Sequence, residues 1–298
     1  MRAAGRRAAC LLLLLATLGQ ARAVTVPDDS GREVHLDAPA QRIISLAPHI
    51  TELLYAAGAG DHIVGTVQYS DYPPAARAIP RLGDTYDLDM ERLLALAPDL
   101  IIIWRSGTRQ ALIDAVRRTG VPVYLSGPSS LAGIATDIRR FGALAGTGVT
   151  ADRAGDRFLR HLAALHRRYS GRAPVRMFYQ FWQEPIYTVS GAHFVSRVIS
   201  LCGGVNVFAG LPVLTPRVTT EAVLAADPAV IIASGAGAPQ WLDDWRDWPQ
   251  IRAVRNDQLY AIPPDLLLRP TPRLLDGAAR MCRDIDLARR EKMVRREE

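Results

Sequence analysis

The segment ERLLALAPDLIIIWRSG, residues 91–107, decides the fold, because its pattern returns as EAVLAADPAVIIASGAG at residues 221–237. In each copy a glutamate stands seven positions before a proline, and a run rich in β-branched residues then leads to a glycine. The pattern predicts a short helix with Glu in its first turn, where the helix dipole favours an anion, then a break and a buried strand. A unit that occurs twice predicts two lobes of similar construction.

A second, looser pair of segments supports the duplication. LLYAAGAGDHIVG ends at Gly65 and VISLCGGVNVFAG ends at Gly210. Both are typical of an amphipathic helix that stops at glycine and leads into a strand.

Strand-like and helical patterns alternate along both halves of the chain. RIISLA, HIVGTV, DLIIIW and VPVYLS are the strand-like runs of the first half, and VRMFYQF, AVIIAS and QLYAIP those of the second. This alternation predicts an α/β fold of two lobes, each with a largely parallel sheet flanked by helices. We expect the first lobe over residues 24–145, the second over 173–287, and a charged, solvated tail over 288–298.

One long helix is predicted to join the lobes over residues 146–172. Its apolar residues recur at helical spacing, with Thr150 as a candidate N-cap and Gly171 as the stop. At 1.5 Å per residue such a helix runs roughly 30 Å, about the width of a lobe. A rigid helix between two lobes predicts a cleft that closes little.

The first 23 residues have the pattern of a cleaved secretory signal. Three arginines precede the apolar run CLLLLLATLG, and ARA ending at Ala23 provides small residues for cleavage. A membrane anchor is the alternative, but it needs roughly 20 apolar residues, and the apolar run is about half that length. We therefore expect an exported, periplasmic protein without a membrane anchor.

Removal of this leader changes the charge balance. The leader holds four arginines and no acidic residue, so the mature chain keeps 32 basic residues against 30 acidic ones. Basic residues do not cluster with aromatic ones, so the sequence gives no indication of nucleic-acid binding. The 49% apolar fraction is that of a globular protein.

Two cysteines, Cys202 and Cys282, remain in the mature chain. Thiols pair in an oxidising compartment, so we predict a disulfide, which would stabilise the fold by about 4 kcal/mol on the chain-entropy model. Two separate buried thiols are the alternative.

Motifs for catalysis are absent from the sequence. It contains no G-x-S-x-G elbow, no H-E-x-x-H pair and no phosphate-binding loop. The carboxylates of DTYDLDME, residues 84–91, could serve acid–base chemistry or calcium, but they lack the spacing of a calcium loop, so a solvated loop before a helix is favoured. We expect no enzyme activity and no cofactor.

His49 is the histidine with the most informative position. In SLAPHITELL it lies where a strand ends and a helix begins, the edge at which open α/β sheets bind ligands. A structural role is favoured over a ligand contact, and a role as axial metal ligand is a further alternative.

Aromatic residues occupy loop-like positions in both halves. They are Tyr69, Tyr72, Tyr86 and Trp104 in the first lobe and Phe181, Trp182 and Tyr187 in the second. Each ring alone is more often packing than recognition. Together, at one edge of both lobes, they would form walls for a large, flat, partly apolar ligand.

These segments resemble the periplasmic substrate-binding proteins of ABC transporters for vitamin B12, iron–siderophores and haem, the class joined by one helical backbone. RIISLAPHITELLYAAGAGDHIVG, YSDYPP, residues 90–107, LCGGVNVF, Glu221 and the Cys282 region carry the resemblance, which covers nearly all of the mature chain. Within the family the chain is most similar to the cobalamin-binding components. Tyr69, Trp104 and the two cysteines, which those proteins join as a disulfide, are the shared features.

The resemblance implies a carrier that holds a corrinoid in the cleft between the lobes, and we expect a monomer. It implies ligand contacts from Tyr69, Trp104 and Tyr187, with Tyr86 near a family tryptophan, and we add Phe181 and Trp182 as candidates. It also implies that Glu91 and Glu221 dock on arginines of the permease, one from each lobe. Their alternative role is helix capping alone.

Two departures from the family pattern concern the ligand. Thr215 occupies the position of a family tryptophan before Glu221. In the last loop, where the family has another tryptophan, this chain has Leu266, Leu267 and Leu268. An incomplete corrinoid such as cobinamide is therefore an alternative ligand. Haem, with His49 or a tyrosine on its iron, and a ferric siderophore are also alternative ligands.

Overall fold

The computed structural model describes residues 23–84 and 87–294, with side chains described as far as residue 290. The predicted leader, apart from Ala23, and Tyr86 lie outside the described residues. Within the described part of the chain, no helix is both long enough and apolar enough to cross a membrane.

The first lobe contains a hairpin and a parallel sheet. The antiparallel hairpin, which the sequence did not predict, joins β1 (Val24–Pro27) to β2 (Glu33–Leu36). The sheet strands are β3 (Ile43–Ser45), β4 (Ile63–Thr66), β5 (Leu100–Trp104) and β6 (Val123–Ser126), parallel in the order β4-β3-β5-β6. The helices are α1 (Pro48–Ala56), α2 (Met90–Ala95), α3 (Gln110–Arg117) and α4 (Gly133–Leu144).

Helix α5 (Gly148–Tyr169) joins this lobe to the second. It lies within the predicted range, but it begins before Thr150, so Thr150 is not its N-cap. Thr147 holds that position, and its hydroxyl donates instead to the carbonyl of Ala57 at 2.7 Å. The helix packs against α1 and α4 of the first lobe and against helices of the second.

The second lobe repeats the parallel architecture. Its strands are β7 (Val175–Gln180), β8 (Gly204–Asn206), β9 (Val230–Ala233) and β10 (Leu259–Ala261), in the order β10-β9-β7-β8. Its helices are α6 (Phe194–Leu201), α7 (Thr220–Ala226), α8 (Ala238–Trp245), α9 (Arg252–Arg255), α10 (Pro264–Leu267) and α11 (Leu274–Val294).

The two sheets have the same strand order. Counted within its own lobe, each sheet runs second, first, third and fourth strand, so β5 and β9 occupy equivalent places. The repeated sequence forms α2 and β5 in one lobe and α7 and β9 in the other. The prediction of two similarly built α/β lobes joined by one helix is confirmed.

The duplication extends to single backbone angles. Helices α1 and α6 are followed by Gly58 and Gly203 at φ 81° and 70°, the left-handed geometry that ends helices and favours glycine. The residues before the two repeated prolines, Ala97 and Asp227, also have positive φ, at 43° and 40°.

Burial follows the apolar runs of the sequence. Leu100, Ile101, Ile102 and Ile103 of β5 are fully buried, as are all residues of β9. A strand covered by helices on both faces needs such a continuous apolar run.

The carboxyl-terminal helix differs from the expected charged tail. Helix α11 continues to Val294, and Arg289 is 7% exposed, with its guanidinium donating to the carbonyls of Ala173 and Cys202 at 2.7 and 3.1 Å. The same helix carries Cys282, which forms a disulfide with Cys202 beside α6. The predicted pairing is therefore confirmed, and the segment after residue 287 begins as packed helix.

Candidate functional site

The shared strand order determines where a ligand would bind. In each sheet the chain leaves the first and third strands in opposite directions, which opens a crevice at their carboxyl ends. In the first lobe these strands are β3 and β5, and in the second β7 and β9. The candidate site is the set of loops that follow these strands and their neighbours.

Trp104 is the last residue of β5 and points to this edge. Its ring meets the ring of His49 edge-on, with 5.2 Å between centroids. The ring of Trp104 also packs on Gly107, where any β-carbon would lie about 1.9 Å from the indole. The tight turn after β5 therefore fixes the orientation of the tryptophan.

His49 lies beneath Trp104 and is 4% exposed. Burial, and then the charge of Arg269, lowers the pKa of His49 to about 3, so its ring is neutral at pH 7. Its Nε2 has no hydrogen-bond partner among the described residues. A ligand could reach this ring only after a neighbouring side chain moves.

Tyr69 stands out from the first lobe after β4. Its side chain is 77% exposed, and its backbone has φ 64°, a left-handed conformation unusual for tyrosine. The next residue is held firmly, since Ser70 accepts from the hydroxyl of Thr66 at 2.9 Å and its carbonyl accepts from Arg81 at 2.8 Å. The exposed ring is therefore carried on a fixed backbone.

Tyr72 takes a different place from Tyr69. The guanidinium of Arg273 lies 3.8 Å from the centre of the Tyr72 ring, a cation–π contact between the two lobes. Arg273 also donates to Glu52 at 2.6 and 2.9 Å, and Arg269 donates to Glu52 at 3.0 Å. Glu52 and the two arginines thus connect the lobes below the exposed tyrosine.

The second lobe brings its three predicted aromatic residues together. Phe181 and Trp182 follow β7, and their backbones pair with Tyr187 through hydrogen bonds of 3.1 Å. The rings of Phe181 and Tyr187 lie 5.9 Å apart, and the ring of Trp182, 55% exposed, lies 6.4 Å from that of Trp241. An aromatic surface therefore projects from the carboxyl end of β7.

A recess of about 280 Å³ lies between the lobes beside Trp104. Loops after β5 and β6 line one side, and the start of α6, Leu214 and Pro270 line the other. Of the predicted ligand contacts, Trp104 lines the recess. Tyr69 and the aromatic residues of the loop after β7 lie outside it.

The two repeated glutamates lie at equivalent positions in their lobes. Glu91 and Glu221 are exposed and are the second residues of α2 and α7. The N-caps of these helices are Asp89 and Thr219, whose side chains accept from backbone N–H groups at 2.8 and 3.3 Å. Hydrogen bonds from its own backbone and from Thr219 hold the pKa of Glu221 below its usual value.

The carboxylates of residues 84–91 have local structural roles where they are described. Asp84 accepts from the backbone of Asp87 at 2.9 Å, and Asp89 caps α2. Within residues 23–84 and 87–290, no group of three His, Cys, Asp or Glu side chains is arranged to hold a metal.

Sequence reasoning missed two arginines and a histidine of the recess. Arg105 and Arg197 reach it from opposite lobes, and His193 lies beside Arg197. Arg105 directly follows the predicted contact residue Trp104, but arginine in a loop carries no signal of its own. Only the approach of the lobes shows that the two arginines share a cavity.

Comparison with known proteins agrees with this architecture. A vitamin B12-binding protein of Vibrio cholerae serotype O1 is 39% identical over 254 residues, which span 85% of this chain and 92% of that protein. The crystal structure of the periplasmic vitamin B12-binding protein of Vibrio cholerae superposes with a TM-score of 0.80 at 40% identity, over 84% of this chain and 98% of that one.

More distant structures share the fold alone. The periplasmic haem-binding protein of Vibrio cholerae superposes with a TM-score of 0.70 at 20% identity, over 81% of this chain and 97% of that one. Residues 43–266 match the periplasmic binding protein family, a range that begins at β3 and ends within α10. The chain belongs to the periplasmic binding protein family.

Proposed function

We propose that this protein captures a corrinoid of the vitamin B12 type between its lobes and delivers it to the permease of an ABC importer. The observation that carries the proposal is the placement of exposed rings, Tyr69 in one lobe and Trp182 in the other, after parallel strands on rigid loops. A large macrocycle offers apolar faces to such rings, and fixed rings lose little entropy on binding.

The relatives support this ligand class. The similar proteins of Vibrio cholerae are named for binding vitamin B12, and the match extends over most of both chains. Where the family has tryptophans, this chain has Thr215 and Leu266 to Leu268, of which Leu267 is fully buried in the core, and Leu214 lines the recess in the same loop as Thr215. An apolar leucine preserves hydrophobic contact while it gives up stacking.

Permease docking is proposed for Glu91 and Glu221. Because Asp89 and Thr219 already cap the two helices, the glutamates are not needed as N-caps. One exposed carboxylate at the same position of each lobe suits recognition by two basic sites of a partner.

The remaining parts of the proposal concern export, oligomeric state and ligand contacts. We propose that residues 1–23 direct the chain to the periplasm and are removed, and that the mature chain acts as a monomer without turnover. We propose further that Tyr69, Trp104, Phe181, Trp182 and Tyr187, with Tyr86, contact the ligand.

Isothermal titration of residues 24–298 with cyanocobalamin tests the function directly. We expect saturable binding of one corrinoid per chain, a clear loss of affinity in Trp104→Ala, and none in Trp248→Ala, a control tryptophan after α8 that is 36% exposed. Cobinamide, hemin and a ferric hydroxamate siderophore are titrated in parallel. Binding of either in place of both cyanocobalamin and cobinamide would contradict the corrinoid assignment.

A further inference from the structure

The recess beside Trp104 is too small to hold a whole corrinoid. Its volume of about 280 Å³ falls just below the roughly 300–1,000 Å³ of pockets that enclose drug-sized ligands. A corrinoid macrocycle with its side chains is larger than such ligands. The recess therefore suits one substituent of the ligand, while the macrocycle lies against the aromatic surfaces outside it.

The charged side chains that line the recess are all positive. Arg105 lines it from the first lobe and Arg197 from the second, with the hydroxyls of Ser129 and Ser130 nearby. Among the described residues that line it, none is an aspartate or a glutamate. Two guanidinium groups without a carboxylate in one cavity attract an anion.

Neither arginine has a charged partner among the described residues. Arg105 follows β5, its backbone N–H donates to the carbonyl of Ser126 at 2.8 Å, and its side chain lies across Gly127. Arg197 is exposed in the first turn of α6. Neither guanidinium forms an ion pair with a side chain in the described part of the chain, so both charges are available to a ligand.

His193 adds a neutral donor at the same place. Burial lowers the pKa of His193 to about 4, so the ring is uncharged at pH 7. Its Nδ1 accepts from the backbone N–H of Val195 at 3.2 Å, which leaves the proton of the neutral ring on Nε2. The amino-terminal end of α6, which His193 caps, also favours negative charge.

We propose that this recess is an oxyanion subsite in which Arg105 and Arg197 bind the phosphodiester of the nucleotide tail of a complete corrinoid. The inference rests on the proposed function and specifies its ligand as a corrinoid that keeps its nucleotide. The phosphodiester carries one negative charge and can accept hydrogen bonds from both guanidinium groups. Because the arginines come from different lobes, such a ligand also connects the two lobes.

The experiment compares corrinoids that differ in this substituent. Cyanocobalamin, cobinamide phosphate and cobinamide, which has neither phosphate nor nucleotide, are titrated into the wild-type mature chain and into Arg105→Gln, Arg197→Gln and the double variant. Arg153→Gln, an exposed arginine of α5, is the matched control. Thermal unfolding establishes that each variant is folded.

We expect each recess variant to weaken cyanocobalamin and cobinamide phosphate by about tenfold or more, as for the loss of a charge-assisted hydrogen bond. Cobinamide affinity should change less than about twofold in every variant. Equal losses for all three corrinoids, or no loss for any, would overturn the subsite.

Failure of the proposed function has a different signature. It would appear as absence of corrinoid binding by the wild-type chain, whatever the variants do. A wild-type chain that binds hemin alone, and loses hemin affinity in both arginine variants, would overturn the phosphodiester assignment and give the recess to a propionate carboxylate of a tetrapyrrole ligand.

Discussion

Glu52 of the first lobe accepts two hydrogen bonds from Arg273 of the second, at 2.6 and 2.9 Å, although 220 residues separate them in the chain. The carboxylate is buried, with 2% of its side chain exposed, and Arg269 contributes a third hydrogen bond at 3.0 Å. Two positive charges thus converge on the buried Glu52 carboxylate where the lobes meet, and Arg269 also pairs with Asp71 and Asp265. The arrangement links the lobes independently of α5.

Replacement of this carboxylate should destabilise the protein strongly. Glu52→Gln removes the carboxylate that pairs with Arg273, whereas Arg269 keeps ion pairs with Asp71 and Asp265 at 3.2 and 3.1 Å. Loss of one partner of a buried ion pair costs about 3–5 kcal/mol. Urea unfolding followed by circular dichroism measures the effect. Asp156→Asn, which breaks the exposed contact to Arg139 at 2.6 Å, is the control and should cost less than about 1 kcal/mol. Similar losses in the two variants would show that the Glu52 cluster adds little stability.

Stability should fall as pH rises from about 4 to about 7 because of Asp137. Burial, and then the charge of Asp29, raises the pKa of Asp137 to about 7 in the folded protein, against about 4 for an unfolded aspartate. Between these values the folded state holds a proton that the unfolded chain has released. The contribution of Asp137 to the free energy of unfolding should therefore be largest below about pH 4. It should decline by about 3–4 kcal/mol as pH rises to about 7.

Chemical unfolding at several pH values checks this slope. Asp137→Asn should remove it, because an amide does not titrate, whatever the variant does to absolute stability. Asp152→Asn, on the exposed side of α5, should retain the slope of the wild-type protein. An unchanged slope in Asp137→Asn would mean that the hydrogen bonds from Ser126 and Tyr124 keep Asp137 ionised.

Tyr69 should affect binding without affecting stability. With 77% of its surface exposed, the side chain of Tyr69 contributes little packing, so Tyr69→Ala should unfold at the same urea concentration as the wild-type protein within error. Loss of a preorganised ring from the cleft should weaken cyanocobalamin binding by about tenfold. Isothermal titration and urea unfolding of the same preparation separate the two effects. Wild-type affinity in Tyr69→Ala would remove this residue from the contact surface.

The paired glutamates should matter for delivery alone. Glu91→Ala combined with Glu221→Ala should bind cyanocobalamin like the wild-type chain, because both side chains lie outside the recess and the aromatic surfaces. Corrinoid uptake by cells that depend on this protein should be lost. Glu33→Ala with Asp152→Ala, two exposed acids elsewhere on the first lobe and α5, should leave uptake intact. Normal uptake in the Glu91 and Glu221 variant would argue against docking at these residues.

The aromatic residues show where sequence reasoning reached its limit. Phe181, Trp182 and Tyr187 are close in sequence and belong to one loop, so their association could be anticipated. Tyr72 lies three residues after Tyr69 in the same segment, yet it packs against Arg273 from the other lobe. Tyr72 directly precedes Pro73, but nothing in the segment YSDYPP indicates a contact with an arginine of the other lobe.

The sequence by itself determined the parts of this protein that depend on short-range patterns. Continuous apolar runs specify buried parallel strands, and the Glu-to-Pro unit at residues 91–107 and 221–237 specifies two equivalent lobes, because burial and helix breaking act on neighbouring residues. Only the tertiary structure decided which distant groups meet. Glu52 meets Arg273, and Arg105 shares a recess with Arg197, because α5 and the two folded lobes bring together loops that no local pattern connects.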